Sequence, residues 1–109
     1  MVILNRSLKV EAEDGEKEVT VRIFLPVAAD DCWQCEYEIG WPTGTKRKAI
    51  FGIDSVQSLL LALQIVGAEL YSSDAHRSGK LMWLASGDGY GFPLPPGLRD
   101  QYEGRDQSL

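Results

Sequence analysis

The stretch CEYEIGWPTGTKRKAIFGIDSVQSLLLALQIVGAELY, residues 35–71, decides the fold because the spacing of its apolar residues changes part-way along. Its first part alternates apolar and polar residues, which is typical of a half-buried β-strand. The Pro-Thr-Gly sequence at 42–44 favours a turn, and a second strand is predicted from about 46 to 53. From Asp54 onward apolar residues recur every three or four positions, which indicates a helix with one buried face.

The start of this helix carries a capping signal. Asp54 is a good N-cap residue, and Gln57 follows three positions later, as in a capping box. We predict a helix over about 55–72. Its core-facing stripe is expected to contain seven residues, which are Val56, Leu59, Leu60, Leu63, Val66, Gly67 and Leu70.

The residues outside this stretch predict further strands. Alternating segments at 8–13 and 19–25 flank Asp14-Gly15, which is a strong hairpin signal. A short strand at about 81–84 is expected to rejoin the sheet. We therefore predict an α+β fold, with an antiparallel meander sheet of about five strands and one long helix packed across one face.

The polar face of this sheet has charges of both signs. Pairs of opposite charge across neighbouring strands stabilise antiparallel pairing. We expect Arg22 to lie opposite Glu36, and Lys46 and Lys48 to lie opposite Glu38 and Glu36.

Size and charge limit the possible functions. The 109 residues predict one domain over 1–109, with a core at about 2–98 and a polar, frayed tail at about 99–109. The net charge of −5 weighs against nonspecific binding to nucleic acid or to anionic membranes. The chain starts without a signal-peptide pattern, and its apolar stretch at 59–68 is too short to span a bilayer. We expect a cytoplasmic protein with neither nucleic acid nor membrane as partner.

Three motifs invite a chemical interpretation, and each has a simpler one. Cys32 and Cys35 have the spacing of a redox or metal pair, but strand positions three apart point to opposite faces. His76, the only histidine, lies in a polar segment and is expected to be a solvated loop residue. The glycines of 87–92 lack the lysine and the helix of a phosphate-binding loop, and more simply permit turns with positive φ. We therefore predict no catalytic residue, no cofactor and no metal.

Two surfaces are candidates for protein interaction. Leu61, Ile65 and Ala68 lie opposite the predicted core stripe, where a helix on a sheet is normally polar. The apolar tail segment at 92–96, a second copy or a partner could cover them, or they could simply be exposed.

The second surface is the acidic first hairpin, which contains Glu11, Glu13, Asp14 and Glu16. Such a cluster is either a solvated turn or a docking surface that steers a basic protein. Among the aromatic residues, Trp41 is expected to be partly exposed because it ends a strand beside a proline.

The capped-helix sequence GIDSVQSLLLAL at 52–63 resembles a family of small uncharacterised bacterial proteins. The strand CEYEI at 35–39 and the late segment GFP at 91–93 support the same resemblance. The resemblance implies a bacterial source and a standalone domain, and it implies no catalytic residue.

These observations favour a non-enzymatic protein–protein interaction or homodimerising domain, including an immunity, toxin-neutralising or adaptor role. The alternative is a small-molecule-binding or enzymatic domain. Its pocket would lie between the sheet, Trp41 and the Gly/Pro-rich tail.

Overall fold

Six strands form one antiparallel sheet in the computed structural model, which describes residues 1–109. Strands β1, β2, β4 and β5 form a meander, and β6 returns to pair with β1. Strands β2 and β3 pair with the same edge of β4 and are separated at Pro26, which cannot donate a ladder hydrogen bond. The strands are β1 Val2–Ala12, β2 Gly15–Phe24, β3 Val27–Ala29, β4 Cys32–Trp41, β5 Gly44–Gly52 and β6 Leu81–Met82.

One long helix packs on this sheet. Helix α1 covers Ser55–Tyr71 and is followed by the short α2, Asp74–Arg77. The Asp54 carboxylate accepts a hydrogen bond from the Gln57 backbone N–H at 2.8 Å, and the Gln57 side chain accepts one from the Ile53 N–H at 2.7 Å. The predicted cap and the predicted α+β class are therefore confirmed.

The core lies between the sheet and α1. It contains the inward-facing residues of the strands and helix, together with three residues from 90–94, which we call the C-terminal segment. These residues are Leu8, Val10, Val19, Val21, Ile23, Cys35, Tyr37, Ile39, Ala62, Val66, Leu70, Tyr71, Leu81, Tyr90, Phe92 and Leu94. Cys35 is a small core residue, as expected, and both cysteines are free.

The predicted core stripe of α1 is wrong at two positions. Val56 is 71% exposed, and Leu60 is also exposed, whereas Ser58 and Ala62 are fully buried. The buried positions recur every four residues because α1 packs on β4 and β5 by the face that begins at Ser58. Apolar spacing alone did not distinguish this face from the neighbouring one.

The predicted cross-strand ion pairs are out of register, by two residues between β2 and β4 and by one residue between β4 and β5. Arg22 lies opposite Glu38 rather than Glu36, and Arg47, not a lysine, pairs with Glu36 at 2.7 Å. A shift of one residue moves every side chain to the other face of the sheet. Lys46 and Lys48 therefore face the helix.

These two lysines meet a carboxylate on α1. Glu69 accepts from Lys46 at 2.9 Å and from Lys48 at 3.3 Å. Burial raises the pKa of Glu69, but hydrogen bonds, chiefly from Lys46, outweigh burial and hold its pKa below the ordinary value. The buried Tyr37 hydroxyl is close by, and burial and Glu69 raise its pKa.

The C-terminal tail is packed rather than frayed, which corrects the expectation for 99–109. It forms two short 3₁₀ helices, Pro96–Gln101 and Gly104–Ser108. Asp106 is only 1% exposed. A charged side chain this deeply buried requires several hydrogen-bond donors, and the glycine-rich segment at 87–91 supplies two of them.

Candidate functional site

Strand β1 has hydrogen-bonding groups that lack a partner strand over part of its length. It pairs with β2 throughout, with one register shift between Val2 and Leu4, but β6 covers β1 only at Lys9 and Val10. The Glu11 N–H points to this same side, because it donates to the Lys80 carbonyl at 3.0 Å. Since backbone groups alternate in direction along a strand, those of Asn5 and Ser7 also point outward. We call residues 2–8 of β1 the open edge.

The start of the open edge is apolar. Val2, Ile3 and Leu4 are exposed, and Leu4 is 47% exposed although it lies opposite the buried Ile23. Cross-strand neighbours point to the same side of a sheet, so Leu4 faces the core side where nothing covers it. Exposed apolar residues on an unpaired edge are the combination that natural sheets usually avoid.

A groove adjoins the open edge on the core side. It holds a cavity of about 250 Å³ between the first two strands, α1 and the C-terminal segment. Its apolar lining comprises Leu4, Val21, Ile23, Leu63, Phe92 and Pro93. Arg6 closes one end, where its guanidinium donates to the Tyr90 carbonyl at 3.0 Å and lies 3.9 Å from the Trp83 ring centroid.

An apolar stripe on α1 passes through Leu63, which lines the groove. Val56, Leu60, Leu63 and Gly67 follow one another at spacings of four, three and four, so they form one stripe. At Gly67 the stripe touches Pro93 so closely that a β-carbon would collide with the proline carbonyl oxygen. Only the first half of the stripe is therefore left uncovered, at Val56 and Leu60.

The opposite edge of the sheet is protected. Strand β5 presents Lys46, Arg47 and Lys48 in succession, and all three are exposed and paired with carboxylates. Consecutive charges on an edge strand discourage pairing with another chain. The two edges therefore differ, and the open edge of β1 is the one suited to association.

A second cluster joins the C-terminal tail to the core, and we call it the latch. Asp106 accepts from the Tyr71 hydroxyl at 2.7 Å and from the backbone N–H groups of Tyr90 and Gly91 at 2.8 Å. The glycine-rich segment thus binds an anion, which is the chain's own carboxylate. Gly87, Gly89 and Gly91 have positive φ, as predicted, and a β-carbon at Gly89 would collide with Asp106.

His76 belongs to the latch rather than to a solvated loop, which corrects the sequence-based expectation. It lies in α2, where its Nδ1 is 2.5 Å from the Tyr90 hydroxyl and its Nε2 is 3.3 Å from Glu103. The ring also packs edge-on against Tyr71, with centroids 4.9 Å apart. The spacing along the chain gave no signal for this cluster, because its members lie up to 35 residues apart.

The latch does not have the character of an activated nucleophile. Glu103, His76 and Tyr90 form a carboxylate–imidazole–hydroxyl chain beside a cleft of about 240 Å³. Burial, followed by the charges of Glu103 and Asp106, raises the pKa of Tyr90, so its hydroxyl keeps its proton. A raised pKa is the opposite of the shift that makes a hydroxyl a better nucleophile by itself.

The helix residues predicted to form an interaction surface lie at the side of the core. Ile65 and Ala68 are half-buried and pack against it, and Leu61 is half-buried. The C-terminal segment contacts α1 at Gly67, about 100° around the helix from Ala68 and farther from the other two. Their role in association stays a prediction.

The acidic residues Glu11, Glu13, Asp14 and Glu16 are all exposed on the β1–β2 hairpin. Two of them have nearby lysines, since Glu16 is 3.8 Å from Lys9 and Asp14 is 3.5 Å from Lys17. The hairpin is therefore a solvated turn with local charge pairs, and its role in docking a basic protein stays a prediction.

Trp41 is half-buried and lines a different end of the molecule from the groove. It borders a cleft of about 390 Å³ with the first hairpin and with residues 73–75. The pocket predicted from sequence joined Trp41 to the Gly/Pro-rich tail, and the structure separates the two. No three side chains of His, Cys, Asp or Glu converge to hold a metal ion.

A family model described as a domain of unknown function, DUF6968, matches residues 4–94. This chain belongs to the DUF6968 family. The expectation of an uncharacterised domain family is therefore confirmed, while a bacterial source stays a prediction. The DUF6968 match includes residues 4–8 of the open edge and the whole of α1, and it ends before Asp106 of the latch.

No curated protein and no solved structure matches the chain. None of its helices combines the length and the apolar character needed to cross a membrane.

Proposed function

We propose that this protein is a non-enzymatic interaction domain that associates through the open edge of β1 and the adjoining groove. The observation that carries the proposal is the unpaired edge at residues 2–8, whose apolar start lies beside an uncovered apolar groove. An extended strand can add to such an edge by backbone hydrogen bonds and place side chains in the groove.

The contrast between the two edges of the sheet supports this proposal. Lys46, Arg47 and Lys48 protect β5, whereas the open edge has no charged side chain before Arg6. The position of Arg6 is fixed by its bond to Tyr90, so it closes the groove and leaves the backbone of the edge accessible.

The cavity in the groove favours a polypeptide over a small molecule. Its volume of about 250 Å³ is below the roughly 300–1,000 Å³ of ordinary ligand sites. It opens toward Leu4 and so continues into the edge. A small-molecule site in the groove is the second candidate, supported by the cavity that the first two strands, α1 and the C-terminal segment enclose.

The proposal is tested by capture of bound protein with matched variants. Tagged wild type, Leu4→Lys and Leu61→Lys are incubated with an extract of the source organism that also contains the untagged chain. We expect wild type and Leu61→Lys to retain the same stoichiometric protein and Leu4→Lys to lose it, with all three folded by circular dichroism. Retention by Leu4→Lys together with loss by Leu61→Lys would move the interface to the helix.

A further inference from the structure

We propose that the strand added to the open edge is the same strand of a second copy, so that two sheets join across a two-fold axis. This inference rests on the proposed function and names its partner. A two-fold contact uses one surface patch twice, so the patch must be complementary to itself. The open edge can be tested for this property residue by residue.

The direction of the backbone groups limits the possible axes. From Leu4 onward the register with β2 is regular, and the outward-facing groups there belong to alternate residues, which are Asn5 and Ser7. An antiparallel copy can bond to them only when outward-facing residues meet outward-facing residues. The axis must then pass through a residue rather than between two residues, and the candidates within the edge are Leu4, Asn5 and Arg6.

Charge selects among these axes. An axis at Arg6 would place two guanidinium groups directly opposite each other, which is unfavourable. An axis at Leu4 places the two exposed leucines together and sets Arg6 against Val2 of the other copy. An axis at Asn5 sets Arg6 against Leu4 of the other copy. With either axis, the uncharged residues 2–5 of one copy therefore lie opposite uncharged residues or Arg6 of the other copy. No two like charges face each other.

Position along the strand also favours this pairing. Beyond the open edge, β6 occupies Lys9 and Val10, so an added strand must end there. With an axis at Leu4 or Asn5, the added strand pairs with about seven residues of β1. It ends just before Lys9, the first residue of β1 that pairs with β6. The acidic hairpin at 11–18 of each copy stays outside the paired region, so the two hairpins do not face each other.

The first experiment measures the mass of the purified full chain by sedimentation equilibrium from micromolar to millimolar concentration. We expect a monomer–dimer equilibrium that Leu4→Lys weakens by at least about tenfold. Ser7→Pro removes one outward N–H without removing a bond to β2, and we expect the same direction of change. Leu61→Lys serves as the control and leaves the equilibrium unchanged.

The second experiment locates the axis with one added cysteine at a time in a Cys32→Ser background, in which the remaining Cys35 is fully buried. Residues at a two-fold axis face their own copies, with α-carbons about 4.5–5.5 Å apart, which suits a disulfide. On oxidation in air we expect covalent dimers from Leu4→Cys or Asn5→Cys, and none from Thr45→Cys on β5. Covalent dimers from Thr45→Cys alone would overturn the inference.

The two proposals fail in different ways. If the purified chain stays monomeric at millimolar concentration, the second copy is overturned. If Leu4→Lys then still loses a different protein captured from the extract, the interaction domain itself stands. If neither mass nor capture responds to Leu4→Lys, both are wrong.

Discussion

Replacing Asp106 by alanine is expected to detach the C-terminal tail. The substitution removes a carboxylate that accepts three hydrogen bonds, and two of these donors are the backbone N–H groups of Tyr90 and Gly91. A buried donor left without an acceptor costs about 1–3 kcal/mol. The Tyr71 hydroxyl also loses its acceptor, so we expect the free energy of unfolding to fall by about 3–5 kcal/mol.

A loss of this size is a large part of the total, because a domain of this length is stable by about 5–15 kcal/mol. The assay is urea denaturation followed by tryptophan fluorescence. Asp106→Asn retains one acceptor oxygen and is expected to lose less, about 1–3 kcal/mol. Asp100→Ala, an exposed residue of the same tail, is the control and should stay within about 0.5 kcal/mol of wild type. An Asp106→Ala protein as stable as this control would refute the latch.

Three further outcomes follow from the structure. Burial raises the pKa of three tyrosines, so the contribution of these groups to stability should be constant up to about pH 10, where an unfolded tyrosine ionises, and should fall as the pH rises further, which pH-dependent urea denaturation measures; these residues are Tyr37, Tyr71 and Tyr90. Gly67→Ala should lower the melting temperature by an amount equivalent to about 1–3 kcal/mol, because the methyl group meets the Pro93 carbonyl, and an unchanged value would show that the segment moves aside freely. The double change Leu61→Ser and Ile65→Ser should lower stability slightly and leave association unchanged by sedimentation, whereas loss of association would assign the interface to that helix face.

The sheet and the helix cap could be predicted because their signals are local. Alternation around Tyr37 and the hairpin at Asp14-Gly15 need only neighbouring residues, and so does the bond between Asp54 and Gln57. The face of α1 was predicted less well, because Val56 and Leu60 are exposed whereas Ser58 and Ala62 are buried. Apolar spacing shows that a helix has an apolar side, and packing decides which part is covered.

The latch could not be predicted because its partners are distant in sequence. The glycines at 87–91 lack the pattern of a phosphate-binding loop and predicted only turns, and their spacing does not indicate a carboxylate partner 15 residues later. The polar composition around Asp106 is typical of a frayed end. Only the donors that converge on Asp106 in three dimensions explain why this polar segment is ordered.

The open edge was also missed, for a related reason. The first predicted strand began at residue 8, so the sequence VIL at 2–4 was not assigned to the sheet. Whether these residues form an edge depends on how far β6 extends along β1. A β6 of two residues leaves the edge uncovered, and a longer one would have closed it. The length of a late strand therefore determines whether the beginning of the chain is a binding surface.

The most direct test of the open edge is amide hydrogen exchange by NMR at two protein concentrations. In the dilute monomer, the outward N–H groups of Asn5 and Ser7 should exchange quickly, while those of Arg6 and Leu8, which point to β2, should exchange slowly. At high concentration the account predicts that Asn5 and Ser7 slow by at least about tenfold as the added strand bonds to them. Slow exchange at Asn5 and Ser7 in the dilute monomer would contradict it, and so would fast exchange that persists after the particle mass has doubled.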